Sequence, residues 1–363
     1  MTETSSHLSF RRIFVLGFGG VGRALVRQII SARELHAKRN RLYLQIIGLA
    51  DSSGVYVDFA GITDQRLGQL IETKTKTGRL GVEQIPFSTS YLVSALPAGT
   101  IIVDTSATNQ TVPVLLEAGR RDWGIVLANK LPLAGELAWF DGITMVPARW
   151  ETTVGAALPV IATLNTLLNS GDHVQRIEGS LSGTLGYIAA QLEAGIRFGD
   201  AVRDARQRGY TEPDPRQDLG GLDAARKALI LARMLGYRLE MHDVSVESLY
   251  PSEMDGLSVD EFMHEVDRLN EPMARRATEL TRAGRKLRYT ALVEDGACQV
   301  ALAGVDSQNK LGTIRTSDSM VVFTTRFYRD NPLAISGRGA GQEVTASGVL
   351  GDIIGLSREL GLR

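Results

Sequence analysis

Residues 12–22 read Arg-Ile-Phe-Val-Leu-Gly-Phe-Gly-Gly-Val-Gly, a short apolar strand that runs directly into a glycine-rich turn. In this G-x-G-x-x-G spacing, Gly17 permits a tight turn, Gly19 lets backbone N–H groups approach a pyrophosphate, and Gly22 lets the next helix pack close to the strand. An apolar pattern with helical period follows. The order strand, turn and helix predicts a dinucleotide-binding fold, with a glycine turn that merely packs as the alternative. The residues predicted to contact the dinucleotide here are Gly17, Phe18, Gly19, Gly20, Val21 and Gly22.

A second apolar strand, residues 43–49, is followed by Asp51, whose carboxylate we expect to accept hydrogen bonds from both adenosine ribose hydroxyls. An acidic residue at this position repels a 2′-phosphate, and two serines rather than arginines follow it. The pattern therefore favours NAD mildly over NADP. Lys74 or Lys76 would reverse that preference by folding back towards the carboxylate.

Two further apolar segments, residues 101–103 and 125–127, complete the predicted parallel sheet. Ligands collect at the carboxyl ends of such strands, so polar residues that follow them are expected beside the nicotinamide half of the cofactor. These residues are Thr105, Ser106, Asn129 and Lys130. For Lys130 the position alone is equally compatible with an ordinary loop lysine.

The composition limits the classes of function. A chain of 363 residues with 44% hydrophobic content can bury a large core and predicts two lobes. Because 40 basic and 41 acidic residues nearly cancel, binding to nucleic acid or to an anionic membrane is disfavoured. The single cysteine, Cys298, excludes an internal disulfide and fits a reducing cytoplasm. The first ten residues lack a signal-peptide pattern and no run reaches about 18 apolar residues, so we expect an unprocessed cytoplasmic protein.

The segment 209–227 contains Gly-Tyr-Thr-Glu-Pro-Asp-Pro and then Asp-Leu-Gly-Gly-Leu-Asp-Ala-Ala-Arg-Lys. The pattern predicts one helix over residues 218–236, with Asp223 and Lys227 on its apolar face and with Arg226 and Arg233 on a solvent stripe. Removing both charges from water is unfavourable unless they are paired or functional, so the pair indicates a cleft. A weak helix-supporting surface pair is the alternative.

Other segments of the second half carry weaker signals. Glu151 precedes a tight Gly/Ala turn, a pattern that fits a helix cap better than a hard-cation site. Strands at 286–293 and 297–305 flank an Asp-Gly hairpin turn, and a third strand at 320–328 leaves an open edge suited to dimerisation. The glycines of residues 337–341 precede a helix from Val344, and they either return to the cofactor or form a simple turn.

These motifs make the chain resemble the homoserine dehydrogenases over residues 11–362. Three segments carry the resemblance: Ser182-Gly183-Thr184-Leu185-Gly186-Tyr187-Ile188, the segment 209–227, and residues 340–352. It implies an α/β fold with a Rossmann-type doubly wound parallel sheet and a second α+β domain for catalysis and dimerisation. The expected domains are residues 1–148 completed by 331–363 for the dinucleotide, and residues 149–330 for the substrate.

The resemblance also implies an activity: reversible, NAD(P)-dependent hydride transfer between L-aspartate 4-semialdehyde and L-homoserine, in threonine, methionine and isoleucine biosynthesis, by a homodimer. The roles carried over are Lys227 and Lys130 at the substrate carbonyl, Asp223 and Glu212 as substrate-positioning carboxylates, Gly209 and Thr184 as pocket lining, and Gly341 at the cofactor. A monovalent cation, usually sodium, is implied at Glu151, Val154, Ala156 and Leu158, which replaces the cap interpretation. Two departures from the family pattern are Gly186 and Ala157, the second of which lies in the cation turn.

Two other functions remain open at this point. One is a different dehydrogenase of amino acids or their semialdehydes. An enzyme of that kind that passes through an acyl intermediate needs a reactive thiol, and Cys298 on a predicted strand is poorly placed for it. The other is a nucleotide-sensing relative without catalysis, which the retention of Lys130, Glu212, Asp223 and Lys227 argues against.

Overall fold

A computed structural model describes residues 8–81, 88–314 and 318–361. The chain divides into two compact units: Met1–Ala157 with Gly341–Arg363, and Leu158–Ala340. Residues 149–157 therefore group with the first unit and residues 331–340 with the second. The Thr152 hydroxyl donates to Leu127 O at 3.2 Å, and the Glu151 backbone N–H donates to the Asp352 carboxylate at 2.9 Å. These bonds tie the segment 150–157 to the first unit.

In the part of the first unit up to Ala157 that the structure describes, there are six strands and nine α-helices. The strands are β1 (Ser9–Leu16), β2 (Leu42–Asp51), β3 (Gly54–Val57), β4 (Ile101–Asp104), β5 (Gly124–Leu127) and β6 (Ala148–Arg149). The helices are α1 (Gly20–Ser31), α2 (Arg33–Asn40), α3 (Asp64–Thr77), α4 (Thr89–Ala95), α5 (Val112–Leu116), α6 (Ala118–Arg121), α7 (Leu131–Ala134), α8 (Leu137–Thr144) and α9 (Thr152–Gly155).

The first sheet has the strand order β3-β2-β1-β4-β5-β6 and is parallel except for β3, which runs antiparallel to β2. Strands β4 and β5 are buried along their whole length, as expected when helices cover both faces. The strand order reverses between β1 and β4, and this switch point is where such sheets bind ligands. The edge strands β3 and β6 were not predicted, because four and two residues are too few to show a period.

Apart from residues 315–317, which the structure does not describe, the second unit contains seven α-helices and six strands. The strands are β7 (Val174–Ser180), β8 (Ser245–Val246), β9 (Arg285–Glu294), β10 (Ala297–Asp306), β11 (Ser319–Thr325) and β12 (Leu333–Gly337). The helices are α10 (Val160–Asn169), α11 (Gly183–Glu193), α12 (Phe198–Gln207), α13 (Arg216–Leu219), α14 (Leu222–Met234), α15 (Val259–Glu265) and α16 (Asn270–Arg282).

The second sheet has the order β12-β11-β7-β9-β10-β8 and is antiparallel except for the β8–β10 pair. The hairpin turn between β9 and β10 is confirmed, with positive φ at Asp295 (49°) and Gly296 (79°). The predicted open edge is wrong for the third strand: β11 lies inside the sheet because β7 and β12 pair with its two sides. The short strands β8 and β12 form the edges of this sheet in the described residues.

The chain returns to the first unit through helix α17 (Gln342–Glu359). Glu343 in its first turn accepts hydrogen bonds from Arg27 at 2.8 Å and from Gln28 at 2.9 Å, both on α1. Apolar residues on its other turns, including Val349, Ile353 and Leu356, join the core of the first sheet. Among the described residues, no helix is both long enough and apolar enough to cross a lipid bilayer.

Candidate active site

The glycine-rich turn after β1 is shaped by close backbone contacts. Gly17 has a φ of +92°, and a Cβ there would overlap the backbone of Thr105 and Ser106. A Cβ on Gly22 would overlap the carbonyl of Gly17. For Gly19, by contrast, no described atom beyond its chain neighbours lies within 4 Å of the position that a Cβ would take. Gly17 and Gly22 thus fix the turn, while Gly19 leaves open space in front of the start of α1, where an anion is stabilised.

Thr105 closes the crevice between β1 and β4. Its backbone N–H donates to Leu16 O at 2.8 Å, and its hydroxyl donates to Gly17 O at 2.7 Å. The residue that follows β4 is therefore held directly against the glycine turn, at the point where the strand order reverses. This placement agrees with the expectation for Thr105, while its contact with a nicotinamide stays a prediction.

A buried carboxylate that the sequence did not single out organises the residues beside Thr105. Asp104, at the end of β4, is fully buried and accepts hydrogen bonds from Ser106 N (2.9 Å), the Thr111 hydroxyl (2.7 Å) and Asn129 Nδ2 (3.1 Å). Burial raises the pKa of this carboxyl, and these hydrogen bonds oppose the rise. Asp104 thereby positions Ser106 and Asn129. Lys130 is the next residue after Asn129 and immediately precedes α7.

The carboxylate of Asp51 lies at the end of β2, beside the glycine turn. Gly17 N and Phe18 N both donate to Ala50 O, at 2.8 and 3.1 Å. Asp51 Oδ1 accepts from the Ser53 backbone at 2.7 Å, and Oδ2 lies 2.7 Å from Lys74 Nζ. Of the two lysines expected to fold back, Lys74 does so and Lys76 pairs instead with Glu72 at 2.5 Å.

The start of α17 also lies at the glycine turn. A Cβ on Gly20 would overlap the side chain of Gln342, the first residue of this helix. Gly341 precedes it with a φ of +127°, a conformation that side chains rarely adopt. The structure therefore brings Gly341 to the turn, and its contact with a cofactor stays a prediction.

In the second unit, Lys227 joins two of the three motifs. Its side chain is 11% exposed, and Nζ donates to Leu181 O at 2.7 Å and lies 2.9 Å from Asp223 Oδ2. Leu181 immediately precedes the motif at residues 182–188. The ammonium is thus held between the β7–α11 connection and the first turn of α14, with Asp223 still 46% exposed.

The single helix predicted over residues 218–236 is wrong. Gly221 adopts a φ of +72°, which separates α13 from α14 and leaves Asp223 in the first turn of α14, where a negative charge is favourable. The predicted solvent position of Arg233 is also wrong. Its side chain is buried, and its charge is compensated because the guanidinium donates to Leu239 O at 2.9 Å and pairs with Glu240 at 3.0 Å.

The carboxylate of Asp218 lies within the influence of two others, those of Glu212 and Asp223. Asp218 accepts hydrogen bonds from Glu212 N at 2.8 Å and from the Thr184 hydroxyl at 3.1 Å. Burial raises the pKa of Asp218, those two hydrogen bonds oppose the rise, and the negative charges of Glu212 and Asp223 add to it. Such a cluster of negative charges attracts a cation. The sequence analysis placed Asp218 at the start of a helix and did not predict that it belongs to this cluster.

The loop that carries Glu212 is fixed at both ends. Gly209, with a φ of +69°, ends α12 in the left-handed conformation typical of a helix C-terminus. At the other end, Arg216 pairs with Asp214 at 2.8 Å and donates to the carbonyls of Met254 (3.0 Å) and Leu257 (2.7 Å). Arg216 thus positions the loop that carries Glu212. It lies within the segment 209–227, but the sequence analysis did not predict this role.

Comparisons with known proteins agree with this geometry. Residues 159–354 match the homoserine dehydrogenase family. The chain belongs to the homoserine dehydrogenase family. A bifunctional aspartokinase/homoserine dehydrogenase of Haemophilus influenzae is 34% identical over 349 residues, which cover 94% of this chain and 42% of the relative. The chain spans about two-fifths of the length of the curated relatives it matches.

Solved structures share the fold over nearly the whole chain. A Candida auris protein of unknown function has a TM-score of 0.85 at 28% identity, covering 97% of this chain and 99% of the other. A hyperthermophilic archaeal homoserine dehydrogenase in complex with NADPH has a TM-score of 0.72 at 25% identity, covering 96% and 98%. The α/β fold predicted from the resemblance to homoserine dehydrogenases is confirmed.

The segment for which the family resemblance implies a cation has an unusual backbone. Ala156 is buried and adopts φ 53° and ψ −117°, a region that costs a non-glycine residue about 1–3 kcal/mol. Glu151 precedes α9, Val154 lies within it, and Leu158 O accepts from Val160 N at 2.8 Å. No group of three or more His, Cys, Asp or Glu side chains suited to a metal occurs among residues 8–81, 88–314 and 318–361.

Proposed function

We propose that this chain catalyses the reversible, NAD(P)-dependent interconversion of L-homoserine and L-aspartate 4-semialdehyde. The observation that carries the proposal is the buried Lys227 ammonium, paired with Asp223 and placed beside the carboxylates around Asp218. Membership of the homoserine dehydrogenase family supports the same reaction. The glycine turn after β1 fits a dinucleotide, because a side chain at Gly17 or Gly22 would overlap neighbouring backbone atoms.

In the proposed mechanism, the carboxylates of Glu212, Asp218 and Asp223 hold the α-ammonium of the substrate, and Thr184 and Gly209 line the pocket. Lys227 donates a proton to the carbonyl oxygen as negative charge develops there, and accepts it back in the reverse direction. The family resemblance also gives Lys130 a role at the substrate carbonyl. A bound NAD(P)H would supply the hydride, which adds to the aldehyde carbon while the proton goes to its oxygen. Asp223 orients the Lys227 ammonium, since their contact is already formed at 2.9 Å.

For the coenzyme we propose NAD or NADP, bound by residues 17–22, Asp51, Thr105, Ser106 and Gly341, with Lys130 at the nicotinamide end. A free Asp51 would favour NAD mildly because its charge repels a 2′-phosphate. Lys74 opposes that preference because it neutralises the carboxylate. The NADPH named for the archaeal relative supports a place for the phosphorylated coenzyme in this family.

We also propose that Glu151 and the carbonyls of Val154, Ala156 and Leu158 bind a monovalent cation, most simply Na⁺. The strained backbone at Ala156 supports a functional turn, because proteins keep such strain mainly at sites that use it. Replacing Na⁺ with tetramethylammonium at constant ionic strength is expected to lower activity, and adding Na⁺ back to restore it. Equal activity in both salts would contradict the cation site.

A homodimer is the proposed assembly, formed through the face of the second sheet opposite its helices. On β9, Tyr289, Ala291 and Val293 are buried, while Thr290 and Leu292 on the other face stay half-exposed. Leu292→Glu is expected to convert a dimer to a monomer in light scattering, and a variant that remains a dimer would contradict this interface. A cytoplasmic location stays a prediction from the sequence.

The direct test follows NAD(P)H absorbance at 340 nm with L-homoserine and each coenzyme. Turnover that requires homoserine supports the proposal. Coenzyme binding without turnover would favour the nucleotide-sensing alternative. A dehydrogenase with an acyl-thiol intermediate is disfavoured because Cys298 is buried, which raises the pKa of its thiol to about 12.

A further inference from the structure

The turn between α13 and α14 is closed by a buried tyrosine of the second sheet. Gly221 has a φ of +72°, and a Cβ there would overlap the hydroxyl of Tyr289 and lie 3.4 Å from the Val246 side chain. Glycine is therefore required for two reasons, its backbone conformation and the space that the tyrosine hydroxyl already fills. Because Asp218 lies in α13 and Asp223 in the first turn of α14, this turn sets the spacing of two carboxylates of the acidic cluster.

The tyrosine is held in that position by a hydrogen bond of its own. Tyr289 is buried on β9, and its hydroxyl donates to Glu247 O at 2.7 Å. Burial raises the pKa of this hydroxyl, and the negative charge of the Glu247 side chain adds to the rise, so the group stays protonated and able to donate. The oxygen that packs against Gly221 is therefore a fixed group rather than one that can rotate away.

The segment that follows β8, which accepts this hydrogen bond, is itself fixed by its neighbours. The Glu247 carboxylate accepts from Leu302 N at 3.2 Å and pairs with Arg276 of α16. Two residues further along the chain, Leu249 N donates at 2.9 Å to Leu219 O, at the end of α13. The turn between α13 and α14 is thus supported from the second sheet and not only by the two helices that it joins.

We propose that the Tyr289 hydroxyl positions the acidic cluster, because the turn that it supports holds Asp218 and Asp223 at the spacing that binds the substrate ammonium. This positioning role rests on the proposed function, in which those carboxylates bind the ammonium. Lys227 lies one turn further along α14 and has an anchor of its own, Leu181 O at 2.7 Å. Loss of the tyrosine hydroxyl is therefore expected to weaken substrate binding more than it slows turnover.

The first test is Tyr289→Phe, which keeps the ring in the core and removes only its oxygen. Loss of this buried hydrogen bond is expected to raise KM for homoserine about fivefold, with a smaller change in kcat. Coenzyme affinity, measured by calorimetry, is expected to stay unchanged because the glycine turn belongs to the first unit. Steady-state kinetics with homoserine measure KM and kcat. An unchanged KM, or a loss confined to kcat, would overturn the positioning role.

Gly221→Ala tests the same contact from the other side. Its Cβ would overlap the Tyr289 oxygen, whereas the ring carbon Cζ lies 3.1 Å away, which a shift of a few tenths of an ångström relieves. Tyr289→Phe is therefore expected to raise the melting temperature and to lower KM in the Gly221→Ala background, the reverse of its effect in the unaltered chain. Substitutions at independent sites would instead add, and equal effects in both backgrounds would overturn the positioning role. If Gly221→Ala does not fold with either residue at 289, the KM of Tyr289→Phe alone decides.

Cys298→Ala is the matched control, because Cys298 is buried on β10, the strand that pairs with β9, and its loss also destabilises the second sheet. A rise of KM in Tyr289→Phe but not in Cys298→Ala, at a comparable fall in melting temperature, would support the positioning role. Equal rises would show that KM follows general destabilisation and would overturn it. If the unaltered chain does not oxidise homoserine with either coenzyme, the proposed function fails, and the role of Tyr289 fails with it.

Discussion

The glycine turn of the first unit and the Lys227 cluster of the second achieve their chemistry with different parts of the chain. At Gly17 and Gly22 the absence of a side chain allows close backbone contacts. The partial positive charge in this region comes from backbone N–H groups and from the N-terminus of α1. Around Lys227 and Asp218, by contrast, ionisable side chains of α13, of α14 and of the loop that carries Glu212 supply the charge, and Thr184 of α11 donates a hydrogen bond. The first region therefore depends on shape, and the second on which side chains are ionised.

This difference has a practical consequence for mutagenesis. A substitution in the turn is expected to change folding and coenzyme affinity, because the backbone itself must move. A substitution in the Lys227 cluster is expected to change turnover or pH response while the fold survives. The predictions below test whether the two regions separate in this way, from the largest expected effect to the smallest.

Lys227→Met is expected to lower kcat by about 10²–10⁴-fold, the range for losing a group that transfers a proton in the transition state. Methionine keeps most of the apolar stem, and Asp223 is 46% exposed, so its unpaired charge can be solvated. Coenzyme affinity is expected to stay within error. Steady-state kinetics with homoserine and calorimetry with the coenzyme measure the two quantities.

Lys286→Met provides the control, since this lysine is also ion-paired, to Glu193 at 2.7 Å, but belongs to β9. Its kcat is expected to match that of the unaltered chain. Wild-type turnover in Lys227→Met, or an equal loss in both variants, would show that the Lys227 ammonium is not the proton donor.

Gly17→Ala is expected to lower the free energy of unfolding by about 2 kcal/mol or more, because alanine is strained at a φ of +92° and its Cβ meets the backbone of Ser106. At Gly19, φ is −83° and no described atom beyond its chain neighbours lies within 4 Å of an added Cβ, but ψ is −149°, outside the usual β region. The melting temperature of Gly19→Ala is therefore expected to fall, but by less than that of Gly17→Ala. Both variants should bind the coenzyme more weakly. Thermal unfolding and calorimetry distinguish them, and equal destabilisation would contradict the role given to Gly17.

The sequence predicted the glycine turn well because its glycine spacing after an apolar strand is a local pattern. A Cβ at Gly22 would meet the Gly17 carbonyl of the same turn, although a Cβ at Gly17 would meet Thr105 and Ser106, which lie at the end of β4. The second region was predicted in part, since the Asp223 and Lys227 spacing within one helix is also local. The resemblance to homoserine dehydrogenases supplied Thr184, Glu212 and Gly209.

What the sequence missed depends on side-chain contacts that no periodic pattern encodes. Asp104 is satisfied by Ser106, Thr111 and Asn129, and nothing in an apolar strand ending in aspartate predicts those contacts. The break between α13 and α14 was missed because apolar periodicity continues across it. Arg233 was placed in solvent because its partners Leu239 and Glu240 lie beyond the helix.

Asp218→Asn is expected to remove one contribution to the change of the free energy of unfolding with pH. Burial raises the pKa of the Asp218 carboxyl above its ordinary value, so in the interval between the unfolded and folded pKa values the folded state binds more protons than the unfolded state. The free energy of unfolding contributed by this group therefore falls as pH rises through that interval. Relative to the unaltered chain, the variant should gain stability as pH increases, which urea titrations across the interval measure.

Asp200→Asn is the opposite control. Arg203 and Arg197 lower the pKa of the Asp200 carboxyl, so that group contributes stability that is lost as pH falls. The Asp200 variant should accordingly lose stability, by a smaller amount, as pH increases. Slopes of the same sign in both variants would contradict the burial of Asp218 within the acidic cluster.

Cys298→Ala is expected to leave kcat and KM unchanged and to lower the free energy of unfolding by about 1 kcal/mol, as a small cavity in a sheet does. The thiol is buried on β10 with a pKa raised to about 12, so no thiolate is present to attack an aldehyde near neutral pH. Kinetics before and after treatment with a thiol reagent complete the test. If the Cys298→Ala variant and the reagent-treated protein both lost turnover, the catalytic group of the second unit would be a sulfur nucleophile rather than the charged side chains around Lys227. The contrast drawn with the glycine turn, between backbone shape and ionised side chains, would then be wrong.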